Sequence, residues 1–247
     1  MIRFVKNPNL PENKVRTVIC GELCKELNNY LDSVGVERIV VAPNYNIDPA
    51  VKYHADMSAL HIGSNEIIID KAQERLYETL SDKGFNVSPS DKIIAGEYPD
   101  DIALNFTVIG DKIIGNFRFA DKVLLSAFSE HQMINVKQGY CKCSCLIVNE
   151  NAIITDDESI YNAVVKNEIE ALLIAKGDIL LPGHQYGFIG GSAGKISKEK
   201  ILFFGDITKH RDYKKIADFI EKYGCKIEYL NFPLTDFGGI IPLIEEV

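Results

Sequence analysis

The chain has 247 residues, 46% of them hydrophobic and 25% charged, with 27 lysines and arginines against 35 aspartates and glutamates, a net charge of −8. The length allows one large domain or two small ones, and the composition is that of an ordinary globular protein. The negative balance argues against non-specific binding to DNA or to an anionic membrane. The opening "MIRFVKNPNLPENK" lacks the apolar stretch of a signal peptide, and no apolar run approaches the length of a transmembrane helix. The six cysteines are therefore expected as reduced thiols and the location as cytoplasmic. No cofactor is expected, and the oligomeric state is not legible.

In chain order, "KVRTVICG" reads as a strand, "ELCKELNNYLDSVG" as a helix stopping at Gly35, and "ERIVVAP" as a second strand. A pattern then recurs of hairpin, amphipathic helix and third strand. "ALHIGSNEIIID" turns at Gly63-Ser64-Asn65, "ALNFTVIGDKIIG" at Gly110-Asp111, and "CLIVNENAIITDD" at Asn149-Glu150-Asn151. "GSAGKISKEKILFFGD" is a longer version of the same hairpin. The helices that follow place apolar residues on one face: Leu76 and Leu80; Val123, Leu124, Ala127 and Phe128; Ile160, Ala163 and Val164 behind an Asp157 cap; Ile216, Phe219, Ile220 and Tyr223 before Gly224. The hairpins start at 59, 103, 145 and 191, and "GGIIPLIEE" at 238 supplies the partner that the first unit lacks. The pattern predicts five ββαβ units of about 45 residues in one domain, 1–247, closed by pairing of the N- and C-terminal strands, which removes exposed sheet edges.

The stretch "GFIGGSAGKIS" (187–197) imitates a phosphate-binding loop but lacks its parts. Ile189 stands where the first glycine belongs, and Ile196 where the magnesium-binding hydroxyl belongs. Two short strands follow it rather than a helix whose N-terminus would hold phosphate. Its Gly190, Gly191, Ser192 and Ala193 read instead as small residues that let strands approach closely.

Five such units resemble the pentein fold of guanidino-group-modifying enzymes, which include deiminases, dimethylarginine hydrolases and amidinotransferases, and of non-catalytic ribosome anti-association factors. The resemblance covers nearly the full length and rests on architecture and unit ends. It implies an α/β five-module propeller with a site at its axis. There, two acidic residues hold the guanidinium, a histidine acts as acid and base, and a cysteine near the C-terminus attacks the guanidinium carbon. Asp56 in "YHADM" and Asp100 or Asp101 in "EYPDDIA" stand where the acidic residues are expected. The third unit end, "QGYCKCSC", has no histidine; His184 in "PGHQYGFIGG" serves only with the register shifted by one unit. In "DFGGIIPLIEEV", Ile241 or Pro242 occupies the place of the cysteine. The standard nucleophile is therefore absent, while the acidic positions still permit binding of a cationic group. The plainer role for Asp56, Asp100 and Asp101 is to cap turns.

In "YCKCSC", Cys141, Cys143 and Cys145 alternate, so a strand would turn all three to one side and Lys142 and Ser144 to the other. Residues i and i+2 of a strand are about 6.6 Å apart, too far for three sulfurs to share one tetrahedral ion, and no metal site is expected. The alternatives are small-residue core packing, or a relocated reactive thiol activated by a partner such as His54 or His184.

Three readings of function follow. The first is a pentein relative without standard amidinotransferase-like or hydrolase chemistry that binds a small polar or cationic ligand in an axial pocket, through His54, Asp56, Asp100, Asp101, Ser192 and Asp236. The second is a thiol-dependent enzyme on guanidino compounds using Cys143, Cys145 and His184. The third is a non-catalytic protein- or ribosome-interaction module.

Overall fold

A computed structural model describes residues 1–247. The elements are β1 (Ile2–Phe4), β2 (Val15–Cys20), α1 (Lys25–Ser33), β3 (Glu37–Val40), α2 (Ala55–Ser58), β4 (Ala59–Gly63), β5 (Glu66–Ile69), α3 (Glu74–Asp82), β6 (Asn86–Pro89), β7 (Thr107–Ile109), β8 (Lys112–Gly115), α4 (Lys122–Ala127), β9 (Gln132–Asn135), α5 (Cys141–Ser144), β10 (Cys145–Asn149), β11 (Ala152–Thr155), α6 (Glu158–Val165), β12 (Glu170–Leu173), β13 (Ala193–Ser197), β14 (Lys200–Phe203), α7 (Tyr213–Lys222), β15 (Lys226–Tyr229) and β16 (Ile240–Glu246). They form five small sheets, in the orders β1-β16-β2-β3, β4-β5-β6, β7-β8-β9, β10-β11-β12 and β13-β14-β15.

Each sheet has the same logic. An antiparallel hairpin is followed by a helix, and the helix returns the chain so that the third strand pairs parallel to the second. In the first sheet the C-terminal β16 plays the hairpin partner, antiparallel to both β2 and β1. Turn chemistry places the hairpins where the Gly/Asn/Asp signals stand: Gly63 and Gly110 have φ of 135° and 57°, and Ser64 has 50°. The helices bury the expected stripe, including Leu76 and Leu80 of α3 and Ile216 and Ile220 of α7. Asp157 caps α6 through the Ser159 and Ile160 N–H groups. Ala127 departs from expectation and faces solvent, because α4 ends there.

The apolar residues divide into five clusters, each shared by two successive sheets. One joins Ile19 and Ile39 to Ile67 and Leu80; the next joins Leu60 and Ile68 to Val108 and Leu124. Ile109 and Ile114 pack with Ile153 and Ile160, and Ile154 packs with Ile201 and Phe203. The fifth cluster joins Leu202 and Phe204 of the last unit to Val18 and Leu27 of the first. No sheet thus has a core of its own; each helix and strand face is covered by its neighbour.

The cysteine stretch is not a strand. Cys141–Ser144 is a single helical turn, and only Cys145 opens β10. The turn's first N–H groups find a cap from the segment that leads into β7: Asn105 Oδ1 accepts from Lys142 N at 2.8 Å and, more weakly, from Cys143 N at 3.5 Å. Alternation is thereby lost. Cys141 and Cys145 enter the cluster between the third and fourth sheets, whereas Cys143 turns toward the second and third. Lys142 is buried rather than turned to solvent.

Candidate functional site

Two short helical turns deliver the central side chains. α2 carries Asp56 directly into β4, and α5 carries Cys143 directly into β10. The Cys143 thiol donates to Asp56 Oδ2 at 2.9 Å across 87 residues of chain. Asn105 locks the two turns together. Its Nδ2 lies 3.1 Å from the Asp56 carbonyl oxygen and 3.2 Å from Cys143 Sγ, while its Oδ1 holds the α5 backbone. His54, at the N-terminal edge of α2, is buried with Nδ1 3.7 Å from Asp236 Oδ1. Asp236 is fixed by the N–H groups of Gly238 (to Oδ1, 3.0 Å) and Phe188 (to Oδ2, 2.9 Å).

Glycines make this convergence sterically feasible. A Cβ at Gly191 would lie 1.9 Å from Asp236 Oδ1, and one at Gly238 would lie 2.4 Å from His54 Cβ. Gly190 lets the fifth unit approach the Cys145 and Lys142 carbonyls, 2.3 and 2.4 Å from where its Cβ would stand. The glycines of "GFIGG" and "DFGG" are thus spacers around Asp236, His54 and α5.

Burial sets the electrostatics. It raises the Asp56 carboxyl to about 6, against the pull of His54 and Lys142. Burial first, then the Asp56 charge, pushes the Cys143 thiol well above its ordinary value. The thiol is therefore a protonated donor in the resting site. Cys145 is pushed to about 12 by burial alone as the leading cause, and Cys141 also well upward.

A cavity of about 420 Å³ opens beside this group. His54, Cys143 and Asp236 reach its wall, joined by Asp48, His184 and the rings of Tyr140, Tyr186 and Phe188; no lysine or arginine lines it. His184 Nε2 and Asp48 Oδ2 pair at 3.0 Å on the half-exposed rim. Of the residues singled out from sequence, His54, Cys143, His184 and Asp236 therefore share this cavity. Asp56 sits directly behind Cys143. Asp101 lies behind Tyr140, whose hydroxyl donates to Asp101 Oδ2 at 2.8 Å. Asp100 is exposed beside a different hollow, near Arg118. Cys145 is enclosed in the core, and the Ser192 hydroxyl is spent on the Ile189 carbonyl at 3.0 Å. Asn105, Asp48, Tyr140 and buried Lys142 were not singled out. Asn105 alone left a trace, as a polar residue inside the apolar run "ALNFTV".

The chain belongs to the family of unknown function DUF6873, which matches residues 18–241. No curated protein sequence matches it. Among solved structures it is similar to SxtG, an amidinotransferase from Microseira wollei in the saxitoxin biosynthetic pathway, at 14% identity and a TM-score of 0.60, over 94% of this chain and 92% of that one. It is similar to the inosamine-phosphate amidinotransferase of Streptomyces griseus at 11% identity and a TM-score of 0.61, over 98% and 97% of the two chains. The agmatine deiminase of C. jejuni matches at 13% identity and a TM-score of 0.53, over 94% and 91%. The fold is that of the pentein superfamily. No helix is long and apolar enough to cross a membrane.

Proposed function

We propose that this protein binds a small cationic ligand of guanidinium or amidinium type in the cavity beside Cys143. One observation carries the reading: about 420 Å³ lined by two carboxylates and three aromatic rings with no lysine or arginine. That size suits a small metabolite. Carboxylates pair with planar cations through two parallel hydrogen bonds, and aromatic faces attract the same charge. The five apolar clusters, the last of which joins the final unit to the first, support a closed five-module propeller of residues 1–247 with the cavity at its axis. The anchors are Asp236 and Asp48, with Asp56 and Asp101 acting from behind Cys143 and Tyr140. Calorimetric titration with guanidinium, agmatine and arginine tests this, with Asp236→Asn expected to lose at least tenfold in affinity. Failure of every guanidino compound and simple amine to bind would refute it.

A second reading has its own observation: Cys143 both faces the cavity and donates to a carboxylate. In a thiol-dependent transferase or hydrolase, Asp56 would take the proton as Cys143 Sγ attacks the guanidinium carbon. The new S–C bond would form, the C–N bond to the departing amine would break, and that amine would leave with the proton that Asp56 took from the thiol, so that the amidino group stays on sulfur. Mass spectrometry after incubation with a guanidino substrate would find the amidino group on Cys143, and its absence at every substrate tested would leave binding alone.

A further inference from the structure

His54, Asp56 and Cys143 each bring a ligand atom to one point: an imidazole nitrogen, a carboxylate oxygen and the sulfur all lie within 4.8 Å of one another. The residues are 4%, 1% and 2% exposed. Two of these three residues each leave a buried side-chain atom without a hydrogen-bond partner, His54 Nδ1, whose nearest carboxylate oxygen is Asp236 Oδ1 at 3.7 Å, and Asp56 Oδ1. Buried polar atoms are rarely left unpaired, and two in a group of three indicate a guest that engages the group. We infer that His54, Asp56 and Cys143 form a binding site for a zinc-type divalent cation.

The donor set selects the ion. Magnesium and calcium take oxygen ligands, whereas thiolate and imidazole with one carboxylate suit zinc and its close analogues. Tetrahedral zinc holds its ligand atoms roughly 3.3–3.8 Å apart. The site reaches this by drawing its widest separation, at most 4.8 Å, inward and opening the 2.9 Å contact between Cys143 Sγ and Asp56 Oδ2. Binding breaks the S–H bond, forms a sulfur–metal bond and releases the proton to solvent. A divalent ion would offset the negative charge that the Cys143 thiolate and the Asp56 carboxylate bring to the site. Asn105 Nδ2, 3.2 Å from the sulfur, is the outer donor that orients it. Because Cys143 and His54 also reach the cavity wall, the ion's fourth position opens onto about 420 Å³ of space. That is the arrangement of a reactive zinc site rather than a closed structural one.

This site requires no guanidino ligand, so its test is run without one. Chelator-treated protein is titrated with Co²⁺ and then Zn²⁺, followed by calorimetry and electronic spectroscopy. The expected result is one ion per chain, a thiolate-to-cobalt charge-transfer band, and release of about one proton. Cys143→Ser abolishes the band, His54→Gln weakens binding roughly tenfold or more, and Cys225→Ser leaves both unchanged. Circular dichroism accompanies each variant; if Cys143→Ser is not folded, Asp56→Asn and His54→Gln carry the same comparison. A wild-type chain that binds no Co²⁺, a charge-transfer band that survives Cys143→Ser, or affinities unchanged in folded Asp56→Asn and His54→Gln overturns the inference.

Discussion

Replacing Asn105 by alanine strikes the joint of the site without touching the cavity wall. The fully buried amide satisfies the Lys142 N–H at 2.8 Å and the Asp56 carbonyl at 3.1 Å, and it also approaches the Cys143 sulfur. Deleting it orphans two well-formed backbone contacts where water has no ready access. Each orphaned buried group costs roughly 1–3 kcal/mol, and the vacated volume adds a smaller amount, so the expected loss is about 4 kcal/mol. Against a total stability of roughly 5–15 kcal/mol the variant still folds. Urea denaturation followed by circular dichroism measures the loss, which should appear as a lower midpoint at unchanged slope. Because the amide caps α5 from the segment that leads into β7, the turn carrying Cys143 loosens, and Cys143 should react with a thiol reagent faster than in the wild-type chain. A loss below about 1 kcal/mol, with Cys143 labelling unchanged, would show that Asn105 does not hold the two turns together.

His61 is buried, and burial lowers its imidazole from 6.5 to about 4. The unfolded chain takes the proton first as pH falls, so the stability is complete above about 6.5 and is lost toward 4. At 1.36 kcal/mol per unit the loss reaches about 3 kcal/mol. Asp56 and Asp156, both raised to about 6 by burial, act in the opposite sense. The check is therefore wild type against His61→Gln in urea at pH 7 and 4.5, and parallel curves would contradict it. Gly238→Ala places a Cβ 2.4 Å from that of His54 at a φ of 77°, costing about 2–4 kcal/mol from strain and overpacking; a melting temperature equal to wild type would argue against this close approach. Native labelling with iodoacetamide at neutral pH, mapped by mass spectrometry, should modify Cys24 first, since it alone of the six thiols is not buried. Equal early labelling of Cys141 or Cys145 would contradict their enclosure.

Local chemistry was legible where a unit answers to its own residues. Hairpins follow Gly63, Gly110 and Asn149–Asn151 because a turn needs only the conformational freedom of its own residues. Leu76 and Leu80, or Ile216 and Ile220, mark helix faces because helical period is a property of one short segment. The role of β16 was legible too, since the first unit lacks a hairpin partner and "GGIIPLIEE" is a strand without a unit. "YCKCSC" was misread for the complementary reason. Its alternation permits a strand, and what makes it a helical turn is Asn105, a cap supplied 37 residues earlier in the chain.

The site divides along the same line. By itself the sequence determined the five-unit alternation, the positions of the acidic and cysteine residues at unit ends, and the absence of a cysteine beside Gly238 and Gly239. Only the tertiary structure decided that Cys143, rather than Cys145, meets Asp56, that His54 lies by Asp236, and that Asp48 pairs with His184 at the cavity rim. These contacts join residues up to 182 positions apart, as between His54 and Asp236. They depend on how far each turn advances toward its neighbours, which is set by glycine spacers and a cap from the segment that leads into β7 rather than by any residue's own preference.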